Sequence, residues 1–559
     1  MSIFARRAER PARKIRRSRS ATPETEAEPT LNLPLLQKSP EQAGTEQVLA
    51  LQRAVGNAAA RQVLGGTAQP VQRRAFIQRM PTSTTVESTL GKPKEDKKIF
   101  GRTKQNSTKY KAVLAALRAF ESYTISTYLA PDASGLRDQM TRVNTLLQTI
   151  YDRMNAYQGK KGKKAVYMLG HLGEVKTFQN IAARAFLKKM DNPGGPGHRF
   201  LGTALNSFLT NALRQGGERP LELDWNDQLG SKGGGSKTVE EYALGDGKTG
   251  YFSDEKNTLN DVDLMDNNDQ AKAIVAEITR QTQLEGAQKG WSQDVIAETI
   301  FKRKNAKINE YFLGTGEGSL GIDANDARMN NRDIAMSRLD QLLGTNLIAR
   351  AQFAVVHMPD GSTRTGSLME GAKGHSPNET VSAVNKRGGS TEEIIENRKE
   401  AMGIDDPELM RQLSRLQLID LIAFQIDRNT GNYFIQRDRN GRLVGITGID
   451  NDFAFGTNYT DPDTQMQQLP GISRYVDKEL AQTIIALDPS LLEPLLSDLL
   501  PKREIDAAIT RLKKLQTELQ SNLTHLLEPD EWTAHAQDIL NEKKSYYYGL
   551  HDKVTDRRT

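Results

Sequence analysis

The spacing of hydrophobic and polar positions divides the chain into three stretches. Residues 1–44 show no apolar periodicity and predict a disordered arm. Within 45–64, Val48, Leu51, Val55, Ala58, Ala59, Val63 and Leu64 recur at helical spacing and Gly65-Gly66 closes the run, which predicts one short amphipathic helix. Residues 66–106 return to linker composition. From 107 to 218 the pattern predicts helices over Tyr110–Phe120, Leu136–Tyr157 and Val175–Met190, the last stopped by Asn192-Pro193-Gly194-Gly195-Pro196.

From Leu229 the pattern predicts strand, glycine-rich loop (Gly233, Gly234, Gly235, Ser236, Lys237), strand over Val239–Leu244, a tight turn at 245–248, and strand over Thr249–Phe252. A helix over Asn331–Gly344 follows, with Ala335, Leu339, Leu342 and Leu343 on one side and Gly344 as its stop. Two strands, Ala351–Val356 and Thr365–Met369, flank the turn at 359–362. A long, largely buried helix runs from Pro407 to Phe424. Asn432–Ile435 and Leu443–Ile446 then form a hairpin around Asp438-Arg439-Asn440-Gly441, a strong turn signal. The polar stretches 257–325 and 374–405 read as insertions. The segment after Thr524 reads as helical, with Tyr546-Tyr547-Tyr548 as packing residues.

Composition narrows the chemistry. The chain has 559 residues, enough for two or more domains, and no cysteine, which excludes disulfides, cysteine-ligated zinc and thiol catalysis. His171 and His198 lack partners at metal spacing. No apolar run approaches the ~20 residues of a membrane span, and the N-terminus has charge without an apolar core, so no secretory signal is expected. The net charge of +6 is concentrated in an arm (Arg6, Arg7, Arg10, Arg13, Lys14, Arg16, Arg17, Arg19) that lacks interleaved aromatics; this argues against nucleic acid as the partner.

Two short segments carry chemistry. In Asp427-Arg428-Asn429-Thr430-Gly431-Asn432 an Asp precedes an Asn by five positions, the spacing at which one loop orients a hydroxyl and holds a metal. In Ile449-Asp450-Asn451-Asp452 an Asp ends an apolar strand and supplies a second hard oxygen ligand of the kind Mg²⁺ prefers. The hairpin between them places both segments at its two ends. The alternative for each alone is a turn rich in Asp and Asn.

These segments and their order resemble the atypical kinases: phosphatidylinositol 3- and 4-kinases, actin-fragmin kinase and the Fam20-like group. The resemblance covers residues 225–525. It implies an α+β, bilobal protein-kinase-like fold, with a small β-rich lobe over 219–370 and a helical lobe over 371–525. Before them come the arm (1–106) and the helical region (107–218), and after them a helical tail (526–559). It further implies an ATP- and Mg²⁺- or Mn²⁺-dependent phosphotransferase with a protein or lipid acceptor. Asp427 would orient or deprotonate that acceptor, and Asn432, Asp450 and Asp452 would bind metal. The loop from Gly233 to Lys237 would meet phosphate. Asp333 stands where the family has a helix Glu that braces a lysine, and Met369 and Glu370 stand where a hinge would hold adenine. The departure is the lysine itself: Ser253 occupies its position, leaving Lys256, Lys248 or Lys237 to substitute. That departure keeps a kinase-fold nucleotidyltransferase and an inactive pseudokinase or structural adaptor in view.

Leu51-Gln52-Arg53-Ala54-Val55-Gly56-Asn57-Ala58-Ala59, followed by Val71-Gln72-Arg73 and Ile77-Gln78-Arg79, resembles the leader of cargo proteins of extracellular contractile injection systems. It implies an effector or toxin made in a bacterial cytoplasm, loaded in an injection particle and delivered to a target cell. The competing expectation is an amphipathic helix that docks on its own domain.

Overall fold

The computed structural model describes residues 80–93, 105–193, 200–205, 220–233, 238–245, 247–255, 269–313, 320–323, 326–465, 469–521 and 523–557. The leader-like segment lies outside these residues, as do Gly234, Gly235, Ser236, Lys237 and Lys256. The described part is mixed α+β. In chain order it comprises α1 (Ser83–Leu90), α2 (Gln105–Ser126), α3 (Ala133–Asn155), α4 (Lys163–Gly170), α5 (Leu172–Met190), β1 (Leu221–Asp224), β2 (Gln228–Gly233), β3 (Thr238–Ala243) and β4 (Thr249–Asp254). Next come α6 (Asp269–Lys289), α7 (Gln293–Leu313), α8 (Met329–Leu343), β5 (Ala351–His357), β6 (Thr363–Glu370), α9 (Pro377–Asn385), α10 (Thr391–Met402), α11 (Pro407–Ala423), β7 (Tyr433–Arg437) and β8 (Leu443–Gly448). The chain closes with β9 (Tyr475–Asp477), α12 (Lys478–Ala486), α13 (Leu492–Leu496), α14 (Lys502–Leu519), β10 (His525–Leu527), α15 (Ala536–Asn541) and α16 (Tyr546–Thr555).

Six strands form one curled sheet in the order β1-β5-β6-β4-β3-β2. All neighbours are antiparallel except β1, which pairs in parallel with β5 from Leu221↔Ala354 to Asp224↔His357. The curl gathers Leu223, Tyr242, Phe252, Ala354, Val356 and Leu368, from five strands, into one small core. Successive side chains alternate between faces of a strand, yet Phe252 and Ser253 are both buried, so the sheet is covered on both sides at β4. On the Ser253 side α8 provides the cover. Its Asn330 Nδ2 donates to Ser253 O at 3.0 Å and to Ser367 Oγ at 2.8 Å.

Helix α8 is buried on almost every side, not only along the predicted stripe. It lies between the sheet and the helical elements that follow it, and ends at Gly344, whose φ of 74° allows the left-handed cap. The polar stretches expected as insertions contain helices. α6 packs on α7, and α9 and α10 each start with a capping box, Ser376/Glu379 and Ser390/Glu393. α2, α3 and α5 share one continuous hydrophobic core with α8, α11 and α13, including Leu117, Leu147, Phe186, Leu339, Leu416 and Leu495. Polar bonds reinforce that contact: Asn144 Nδ2 to Ser490 Oγ at 3.2 Å and Ser497 Oγ to Asn180 Oδ1 at 2.9 Å. Among the described residues no helix is long and apolar enough to cross a membrane.

Candidate functional site

α11 delivers the chain to the first acidic segment. Asp406 caps its start, Pro407 presets the first turn, and Phe424 (φ 54°) ends it in the left-handed region. The loop that follows is tied to itself. Asn432 Nδ2 donates to Asp427 Oδ2 at 3.0 Å and to Asp427 O at 2.8 Å, and Asn429 Nδ2 donates to Asp427 Oδ1 at 3.1 Å. Gly431 N in turn reaches Asn429 Oδ1 at 2.8 Å. Both carboxylate oxygens of Asp427 are thereby oriented by amides. Burial raises the pKa of Asp427, and the negative charge of Asp452 raises it further against the opposing pull of Asn429, Arg428 and Asn432.

The second segment leaves β8 and is fixed on three sides. Ile449 N donates to Asn432 O at 2.9 Å, which continues the β7–β8 ladder into the site. Gln425 Nε2 donates to Asp450 O at 2.7 Å. From α8, Asp333 Oδ1 accepts Asn451 N at 2.8 Å and Arg332 Nη1 donates to Ala454 O at 2.6 Å. Asp450 itself has φ 55°. Among the described non-glycine residues with positive φ, Phe424, Asp450 and Phe455 all belong to this region. Each such conformation costs of order 1–3 kcal/mol and persists where the surroundings over-determine it, as these hydrogen bonds do.

Arg428 joins the two segments. Its side chain is fully buried and forms a bidentate pair with Asp420 of α11, at 2.9 and 3.0 Å. The remaining donors reach Asn432 O at 2.8 Å, Ile449 O at 2.6 Å and Asn451 Oδ1 at 2.6 Å. One guanidinium therefore holds the end of the Asp427 loop and both flanks of Asp450.

The donor set suits a hard cation. Asn432 turns its amide nitrogen toward Asp427, so its amide oxygen is the atom that could serve a hard cation, and Asp450 and the buried Asp452 are the carboxylates of the adjoining segment. Among the described residues no three His, Cys, Asp or Glu side chains form a ready metal cage. A magnesium-like ion needs only one or two carboxylates when phosphate oxygens and water complete its shell.

The nucleotide-binding expectations are distributed differently. Gly233, the last residue of β2, pairs with Thr238, the first residue of β3. Ser253 is buried and is gathered with Ser367 around Asn330, a neutral polar cluster at the position expected for a lysine. Asp333 touches the Asp450 segment rather than only facing the sheet. Met369 lies inside β6, paired with Ala351 and Tyr251. The N–H of Glu370 goes to Arg350 O at 2.8 Å and that of Gly371 to Thr249 O at 2.8 Å. The sheet thus consumes N–H groups at the expected hinge.

Sequence reasoning passed over Arg428, Asp420, Gln425, Arg332 and Tyr546 as site-building residues. The usable signal was a polar residue inside an otherwise apolar run: Asp420 interrupts Leu418-Ile419 and Leu421-Ile422 and is fully buried, which demands a partner. Compared with family models and with curated proteins, the sequence matches none.

Proposed function

We propose that this protein is an ATP- and Mg²⁺-dependent phosphotransferase of the atypical kinase class, with a bilobal kinase-like arrangement of the curled sheet over the helical elements. The observation that carries the reading is the Arg428 junction. It ties the segment bearing Asp427 and Asn432 to the segment bearing Asp450 and Asp452, and phosphoryl transfer needs two such segments side by side.

In this reading Asp427 receives the proton of the acceptor hydroxyl. The acceptor oxygen forms a bond to the γ-phosphorus, the bond from phosphorus to the β–γ bridging oxygen breaks, and ADP leaves. The raised pKa of Asp427 makes it a better base than an ordinary carboxylate. A magnesium ion held by Asn432, Asp450 and Asp452 would supply charge neutralisation on the phosphates. Asn429 and Asn432 keep the Asp427 carboxylate aimed, and Arg428 and Asp333 keep Asp450 in its left-handed conformation. Catalysis is then mainly positioning and electrostatics.

The neutral cluster at Ser253 favours a second reading, in which the nucleotide binds without the usual lysine and is either reversed, for nucleotidyl transfer, or unreactive. Delivery as cargo of a contractile injection particle rests on the leader-like sequence at 51–79. Removing residues 1–79 should abolish association with the particle. The enzymatic proposal is tested with Asp427→Ala: loss of γ-phosphoryl transfer with an unchanged melting curve supports it, and full retained transfer rejects it.

A further inference from the structure

The C-terminal helix enters the site from behind. Tyr546, the first residue of α16, donates its hydroxyl to Asp420 Oδ2 at 2.9 Å, the same oxygen that accepts Arg428 Nε. Its backbone N–H is held by Gln417 Oε1 at 3.0 Å, and Gln417 Nε2 reaches back to Lys544 O at 2.6 Å and Gly471 O at 2.7 Å. Ser545 caps the helix through Tyr548 N at 3.0 Å. Asp420, Arg428 and Tyr546 are all buried, so water is poorly placed to replace a lost donor.

We propose that α16 completes the catalytic centre, with the Tyr546 hydroxyl as a positioning group that acts on the Asp450 segment through Asp420 and Arg428. The proposal rests on the kinase-like reading for its catalytic consequence, though not for its geometry. Asp420 offers two oxygens to three donors, and the tyrosine hydroxyl shares the oxygen that seats Nε. Without it, Asp420 is held by the guanidinium alone and both can shift together. The bonds from Arg428 to Ile449 O and Asn451 Oδ1 then lose their fixed origin. Groups bonded directly to a metal ligand commonly matter 10- to 100-fold in affinity or activity, and Tyr546, acting through Asp420 and Arg428, should reach the lower end of that range at most.

Tyr547 is the built-in control. It lies on the same helix, is buried, and donates its hydroxyl to Ile404 O at 2.9 Å, away from Arg428. Tyr546→Phe and Tyr547→Phe each remove one buried hydroxyl bond, so both should lower the melting temperature, Tyr546→Phe somewhat more because its partner is a carboxylate. Only Tyr546→Phe should reduce turnover at saturating ATP, severalfold and up to about tenfold, with a severalfold rise in the Mg²⁺ concentration giving half-maximal rate. Equal turnover in the two variants overturns the proposal. Should the wild-type chain transfer no phosphate at all, hydrogen exchange still decides. Tyr546→Phe should speed exchange of the Ile449 and Asn451 amides by about tenfold relative to Tyr547→Phe, and equal protection in both variants overturns the relay without reference to activity.

Discussion

Replacing Arg428 by Met should be among the most damaging single changes in the described structure. The side chain is fully buried and donates five hydrogen bonds, two of them to Asp420. Its removal leaves Asp420 as a buried carboxylate with the Tyr546 hydroxyl as its neutral donor. Breaking a buried pair by deleting one partner costs about 3–5 kcal/mol, mostly through the stranded charge. That is a large fraction of the ~5–15 kcal/mol by which domains are typically stable. The stranded Asp420 favours its protonated form, so the loss should grow as pH rises and Asp420 must ionise or stay neutral at a cost. Adding Asp420→Asn to Arg428→Met should recover about 1–3 kcal/mol, because no buried charge then remains. Urea unfolding reports this through far-ultraviolet circular dichroism and the fluorescence of the buried Trp532, provided the two transitions coincide. A loss under about 1 kcal/mol for Arg428→Met, or a double variant as unstable as the sum of the singles, would refute the argument.

A pH effect is expected from Asp340, which is fully buried at the end of α8 and accepts bonds from Thr345 Oγ1 and, at 2.9 Å, from Leu347 N. Burial pushes its pKa up to about 6. The folded state therefore holds this proton more tightly than the unfolded chain, whose carboxylate titrates near 3.9. The stability contributed is fully present below pH ~4 and is lost as pH rises to about 6. Asp340→Asn should flatten that part of the melting-temperature profile, and an unaltered profile would count against it. Ser376→Ala removes the α9 capping box and should cost about 1 kcal/mol, read as faster amide exchange in the first turn of α9. Since Asn378 N donates to Thr430 O and Asn378 Oδ1 accepts Thr430 Oγ1, the same variant should also loosen the Asp427 loop; protected exchange at Thr430 and Gly431 would disprove that link.

What could be read from the sequence was local. Asp438-Arg439-Asn440-Gly441 announces the β7–β8 hairpin, and the hairpin carries both acidic segments to one place. Gly344 marks the end of α8, and Asp406-Pro407 the start of α11. The capping residues Ser376/Glu379 and Ser390/Glu393 were equally local and announce helices in a stretch otherwise read as polar insertion. What escaped was set by distant partners. β1 is four residues long and is a strand because it pairs with β5 more than a hundred residues later. Asp333 fits a helix-borne acid facing the sheet, yet its position against Asn451 depends on how the Asp450 segment packs beneath α8. The Tyr546–Asp420–Arg428 chain spans over a hundred residues, and spacing within any one helix does not reveal it.

The central claim is most directly tested by paired labelling. Full-length protein with Mg²⁺ is incubated with a eukaryotic lysate, once with γ-labelled and once with α-labelled ATP, beside Asp450→Ala. The account predicts label from the γ position alone, and none with Asp450→Ala. Label from the α position, or γ label that survives Asp450→Ala, would contradict it.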